Sequence, residues 1–164
     1  MAGQATPTAL ELRQRERRVR HGGTGLGSAD LEGLWRLELV WPKDGARPAS
    51  LSAVLLRALA ASLDIRCEDE GLILRNAVRI GALELSFRGP GQLVGSRPLL
   101  QFRFESLALT LAGRTLLRRT LPAPEPRRMP FFALIERGAE GWLAARGRGG
   151  GLALWRLESP ASVP

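Results

Sequence analysis

The sequence predicts a mainly β protein: a single antiparallel β-barrel, with one inserted α-helix at about residues 50–65 and a flexible basic N-terminal arm. Three observations point there. After residue 30, apolar and polar side chains alternate with a period of two through most of the chain, the pattern of half-buried strands. Clusters of Gly, Pro, Asp and Asn-type turn formers recur between those stretches. One segment alone carries helical spacing. A chain of 164 residues fits one domain and buries enough surface for a core without staples.

Residues 1–30 stand apart as a disordered basic arm and Gly-rich linker. "ELRQRERRVRH" holds five arginines and "GGTGLGSA" four glycines, which cannot continue any short helix that the basic piece forms. The folded domain is read as 31–158. Its first strand, "GLWRLELVW", places Trp35, Leu37, Leu39 and Trp41 on one face against Arg36 and Glu38. Next comes "SLSAVLLRALAASLDI", apolar at 51, 54, 55, 58, 59 and 63, with Ser50 or Ser52 as its N-cap. "GLILRNAVRI" and "ALELSF" follow as strands, then "LQFRFESLALTLA", alternating through Leu100, Phe102 and Phe104 and on through Leu107, Leu109 and Leu111. "TLLRRTL", "FFALIER", "GWLAAR" and "LALWRL" complete the set. "PKDGARP", "EDEG", "RGPGQLVGSRP", "AGR", "PAPEPRRMP" and "RGAE" read as turns. Such spacing fits a sandwich or a closed barrel. The barrel is preferred because closure removes open sheet edges, and about eight strands can enclose a small ligand.

Composition narrows the functional classes. The net charge is +8, from 24 basic residues of which only Lys43 is lysine. That charge attracts anionic lipid surfaces or nucleic acid. Arg13, Arg15, Arg17, Arg18 and Arg20 of the arm are the candidate contact with an anionic membrane surface, diluted by Glu11 and Glu16; nucleic acid is the lesser expectation. No apolar run approaches the length of a spanning helix, and no apolar segment of a signal peptide follows Met1, so a cytoplasmic protein is expected. Cys67, the single cysteine, lies beside Glu68, Asp69 and Glu70, whose charges disfavour a thiolate, and reads as structural. His21, the single histidine, sits in the arm. The folded part therefore lacks the histidine of Ser-His-acid and Cys-His machinery, and a multi-histidine metal site is impossible. A non-enzyme without metal or cofactor is expected.

"RGRGGG" at 146–151 raises three readings. A phosphate loop needs Lys followed by Ser or Thr, whereas Gly151 precedes Leu152, Ala153 and Leu154. An RNA-binding segment needs repeated Arg-Gly units with stacked aromatics. The remaining reading is a hairpin turn whose glycines permit positive φ, with its arginines facing water or a lipid head group, or with Arg146 turned inward to anchor one polar end of a ligand. The large side chains Trp35, Phe87, Phe102, Phe104, Phe131, Phe132, Trp142 and Trp155 either fill the barrel or line an apolar cavity.

The order of these pieces resembles the plastid lipid-associated protein family, also called fibrillins, in its cyanobacterial type. "LEGLWRLELVW" is similar to the family's opening Leu-x-Gly-x-Trp strand, matched at Leu31, Gly33 and Trp35. "LRNAVRI" resembles its Asn-containing strand at Asn76, and "LQFRFESLALTL" its later long strand. "RGRGGGLALWRL" resembles its ending at Arg146, Gly147 and Gly150 or Gly151. The resemblance spans most of 31–158. It implies a lipocalin-like barrel that binds an isoprenoid such as a quinone or carotenoid, in a photosynthetic organism, peripheral to thylakoid membranes. The expected ligand-binding residues are Trp35, Leu37, Phe87, Phe102, Phe104, Trp142 and Arg146. The chain departs from the family where "GWLAA" lacks the usual Tyr-Leu-Asp. Two alternatives stand beside this reading: a chromophore-handling protein similar to bilin lyases, and an interaction module docking through its Arg-rich arm.

Overall fold

Alternating side chains become paired strands in the computed structural model, which describes residues 6–43 and 61–158. Among them, ten antiparallel strands form one sheet: β1 (Gly33–Trp41), β2 (Ser62–Glu68), β3 (Gly71–Ile80), β4 (Leu83–Val94), β5 (Leu99–Phe102), β6 (Ser106–Leu111), β7 (Arg114–Thr120), β8 (Phe131–Gly138), β9 (Trp142–Gly147) and β10 (Leu152–Leu157). The order β3-β2-β1-β10-β9-β8-β5-β4 returns to β3, so eight strands close a barrel. β6 and β7 extend the sheet outside that ring, from the first half of β4. Closure leaves β7 as the free edge, and it carries three arginines, a common guard against edge-to-edge pairing.

β4 holds the branch point. Its residues 83–88 pair with β6 and its residues 91–94 with β5, while β3 runs along both halves. "RGPGQLV", read above as a turn, lies within this strand. Conversely, "LQFRFESLALTLA" is broken at 103–105, where Arg103 N–H donates to Pro90 O (3.1 Å) and Glu105 N–H to Arg88 O (2.9 Å). Three residues here face Gly89 and Pro90, a bulge of the kind that bends a barrel wall. Gly89 allows it, because a Cβ at this position would lie 1.9 Å from the Arg103 carbonyl oxygen. Gly89→Ala is expected to cost about 2 kcal/mol, since backbone must shift to admit one methyl group. A urea titration checks this; a loss below about 0.5 kcal/mol would mean the bulge is soft.

Two apolar clusters flank the wall formed by β1, β10, β9 and β8. Inside the barrel, Trp35, Leu63, Ile65, Leu72, Leu74, Leu134 and Leu143 pack with Phe102 and Trp155. Outside it, Trp41, Ile135, Trp142, Ala144, Leu152 and Leu154 pack beneath Ala9 and Leu12. β1 reaches both clusters through an irregularity between Leu37 and Leu39. Trp35 and Leu37 therefore join the inner cluster, whereas Leu39 and Trp41 join the outer one, contrary to the single face expected for all four.

The residues over the outer cluster belong to helix α1 (Ala9–Gly22). The flexible arm of the sequence reading is, in the structure, a capped helix packed on the barrel. Thr8 starts it: its hydroxyl accepts from Glu11 N–H (3.3 Å), and its own N–H donates to the Glu11 carboxylate (2.7 Å). Such a capping box stabilises the first turn, and Thr8 holds the Glu11 carboxyl below its ordinary value. Ala9, Leu12 and Glu16 then fall on one buried stripe. The glycines end the helix as expected, with Gly23 at φ 73°. A short helix, α2 (Ser28–Leu31), leads into β1.

The expected inserted helix is corrected at its C-terminal end. Ser62–Ile65 belong to β2, paired with both β1 and β3, and Leu63 and Ile65 are core residues. Strand pairing on both sides outweighs a helical period carried there by Leu63 alone. The rest of that expectation, including the Ser50 or Ser52 cap, lies outside the described residues.

Candidate functional site

The inner cluster fills the barrel at the end where β1 begins. At the opposite end, where β1 leaves and β2 enters, a cavity of about 220 Å³ remains. Its wall is Leu37 and Val40 of β1, Leu63 of β2, Val78 of β3, Phe132 of β8, and Ala153 and Trp155 of β10. Register explains the grouping: Leu37 faces Trp155, and Leu63 faces Asn76. Asn76 and Ser62 supply the side-chain polar groups at the rim. Ala61, Ser62 and Ala153 are small residues among the larger ones of this wall.

Aromatic rings back this cavity. Trp155 meets Phe132 edge-on (5.1 Å between centroids), and Phe132 stacks on Phe102 (5.3 Å). Phe102 continues to Phe104 (5.2 Å) and Phe104 to Phe87 (5.6 Å). Tilted and edge-on geometries at these spacings are favourable for aromatic pairs. Phe87 sits directly across from Asn76. The ladder is thus continuous from the cavity wall to the branch point.

The expected ligand-binding residues divide into three groups. Leu37 lines the cavity. Phe87, Phe102 and Phe104 stand behind or beside it in the ladder, and Trp35 is fully buried deeper in the core, its indole N–H donating to Leu31 O (2.7 Å). Trp142 and Arg146 are on the wrong side of the wall. Trp142 packs in the outer cluster under α1, with the Arg15 guanidinium 5.4 Å from its ring centroid and its indole N–H on Glu140 (3.0 Å). Phe132 and Trp155, noted above only as bulky residues, are in the wall instead. Their signal is shared inner parity with Leu134 and Ala153, which becomes visible only once the register is known.

Arg146 neither faces water nor turns inward. Its guanidinium makes a two-pronged pair with Glu16 of α1, through Nε at 2.7 Å and Nη2 at 2.5 Å, and also donates to Gly150 O. Arg97 joins the same carboxylate at 3.0 Å, and Arg20 approaches at 3.8 Å. The Arg146 hydrogen bonds hold the Glu16 carboxyl below its ordinary value against the opposing effect of burial, and the charges of Arg146, Arg20 and Arg97 add to the lowering. "RGRGGG" is the β9–β10 hairpin turn: Gly147 N–H donates to Gly151 O, Gly150 N–H donates to Gly147 O, and Gly150 takes φ 90°.

Other features carry less. A wider hollow of about 540 Å³ lies around the β2–β3 turn, where Glu68, Asp69 and Glu70 share its lining with Leu72, Ile73 and Pro90. Cys67 is exposed beside it. Among the described residues, no group of three or more His, Cys, Asp or Glu side chains is placed to hold a metal ion, and no helix is long and apolar enough to cross a membrane. Of the arm's arginines, Arg15 pairs with Glu136 (2.9 Å) and Arg20 with Glu16, while Arg17 and Arg18 are exposed.

Fold and site together define a closed antiparallel β-barrel with an apolar hollow at one mouth. Comparisons with protein-family models, curated proteins and solved structures return no match.

Proposed function

We propose that this protein binds and carries a small lipophilic molecule at the barrel mouth, without catalysing a reaction on it. The observation that carries the reading is the 220 Å³ hollow, walled by Leu37, Phe132, Trp155 and Val78 and rimmed by one amide, Asn76. Ligand pockets usually run about 300–1,000 Å³, so this one suits a ring or a chain end rather than a whole lipid. The inner face of the sheet continues past the mouth through Leu85, which pairs with Val78, and Leu109, which pairs with Leu85. A tail leaving the hollow has apolar surface to lie on. A quinone ring fits this division: its carbonyls accept from the Asn76 amide N–H, and its isoprenoid tail follows the sheet. That chemistry agrees with the resemblance to plastid lipid-associated proteins and with a place beside photosynthetic membranes in a cyanobacterium. A carotenoid end ring fits the same wall without the amide contact.

Tryptophan fluorescence tests it, because Trp155 is in the wall and the chain has no tyrosine. Titration with plastoquinone or a carotenoid should quench saturably. Ala153→Leu fills the hollow and should weaken binding about tenfold or more, the effect of losing about 1.4 kcal/mol. Asn76→Ala should weaken the quinone and leave the carotenoid unchanged. Saturation by a bilin alone would replace the carrier with a chromophore-handling protein, and no saturation by any of these would remove the ligand reading.

A further inference from the structure

Two hairpin tips lie side by side at one end of the sheet, one joining the barrel strands β3 and β4 and the other joining β6 and β7 outside the ring. The β3–β4 turn (Gly81, Ala82) and the β6–β7 turn (Ala112, Gly113) are tied by Ala112 N–H donating to Ala82 O (2.8 Å). Ile80 pairs with Leu83, Leu83 with Leu111, and Leu111 with Arg114, so these four stand in one row across the tips. The three apolar members are exposed, at 63%, 37% and 45%. Every residue of β7 is exposed too, and it sets Leu116 and Leu117 among Arg114, Arg118 and Arg119. None of these three arginines pairs with a carboxylate among the described residues.

We propose that the paired tips and β7 form a docking surface for an anionic membrane, with Ile80, Leu83 and Leu111 entering the acyl boundary and Arg114, Arg118 and Arg119 meeting lipid phosphates. Exposed aliphatic side chains beside unpaired guanidiniums match an interface that is apolar below and anionic above. The turns themselves are Gly-Ala and Ala-Gly, and the carboxylate that lines the hollow between them, Glu84, is neutralised by Arg75 and Arg79. Neither competing occupant fits as well. A second copy joined along β7 would bring like charges together with no acid to offset them. Nucleic acid would satisfy the arginines but leave the leucines idle, and no aromatic ring stands at the tips for a base to stack on. This surface shares no residue with the cavity wall or with α1, although Ile80 lies two residues beyond Val78 of that wall on the same face, and it goes beyond ligand binding and beyond the arm expected from sequence.

The experiment is flotation of the full chain with vesicles of phosphatidylcholine plus phosphatidylglycerol, against phosphatidylcholine alone and against single-stranded RNA. The protein should float with the anionic vesicles only, and less so at high salt. Each arginine near such a surface is worth about 1 kcal/mol, so Arg118→Glu with Arg119→Glu should cut partitioning at least about tenfold. Ile80→Ser with Leu111→Ser should cut it severalfold, whereas Arg17→Glu with Arg18→Glu on α1 should leave it unchanged. All are exposed positions, and circular dichroism and quinone quenching on each variant separate loss of docking from loss of fold or of the cavity. The proposal is overturned if the α1 pair abolishes flotation while the tip variants keep it. It is equally overturned if the serine variants have no effect, or if RNA binds and vesicles do not.

Discussion

Glu16→Gln is expected to destabilise the protein by about 3 kcal/mol and to loosen α1 from the barrel. Glu16 is 3% exposed and takes guanidinium contacts from Arg146 of β9, Arg97 of the β4–β5 turn and Arg20 of its own helix. Removing the carboxylate leaves Arg146 and Arg97 without their shared partner. The low end of the range for breaking a buried pair applies, because their side chains keep 22% and 27% exposure and regain some water. The pH dependence has a definite sign. Hydrogen bonds from Arg146 hold the Glu16 carboxyl below its ordinary value in the folded protein, so its stabilisation is complete above the unfolded value. It is lost as pH falls from there through the lowered folded value. Wild type and Glu16→Gln should therefore differ near neutrality and converge in acid. Urea titrations across pH measure the difference, and hydrogen exchange of the 9–22 amides reports release of the helix. Equal stability at neutral pH would show that the apolar stripe alone holds α1.

That ion cluster also marks where the sequence stops being informative. Strand positions were legible because apolar and polar or small side chains alternate along β4 and β6. β9 has no such contrast: Trp142 to Ala145 are all buried, Leu143 and Ala145 by the barrel core, Trp142 and Ala144 by α1. Parity correctly separates the two sets but does not say which is inside, so Trp142 and Arg146 went to the wrong face together. In β1 a local irregularity switches faces between Leu37 and Leu39, and uninterrupted alternation conceals it. α1 did carry a signal, since Thr8-x-x-Glu11 is a capping box. Of the arginines that suggested a free arm, Arg15 meets an acid elsewhere in the fold, Glu136, and Arg20 meets Glu16 of its own helix. The hollow had no sequence signal. It is lined by residues of β1, β2, β3, β8 and β10, far apart in sequence, which only register brings together.

Trp35 separates stability from binding. Trp35→Ala is expected to cost about 4 kcal/mol, through lost transfer energy and the void left in the inner cluster. The ring is fully buried, its N–H serves the carbonyl of the buried Leu31, and the Arg137 guanidinium lies 5.8 Å from its centroid. Trp35→Phe keeps most of the apolar volume and a ring for Arg137, but strips the Leu31 carbonyl of its donor, which costs about 1–3 kcal/mol. Neither effect reaches the mouth, because Trp35 is absent from the cavity wall. Trp35→Phe should therefore melt earlier than wild type yet bind plastoquinone within about twofold of it, a difference under about 0.5 kcal/mol. Ala153→Leu should do the reverse, holding its stability while losing the ligand. If Trp35→Phe loses affinity as severely as Ala153→Leu, the ligand penetrates past Leu37 and Leu63. The core around Trp35, rather than the mouth, would then be the binding site.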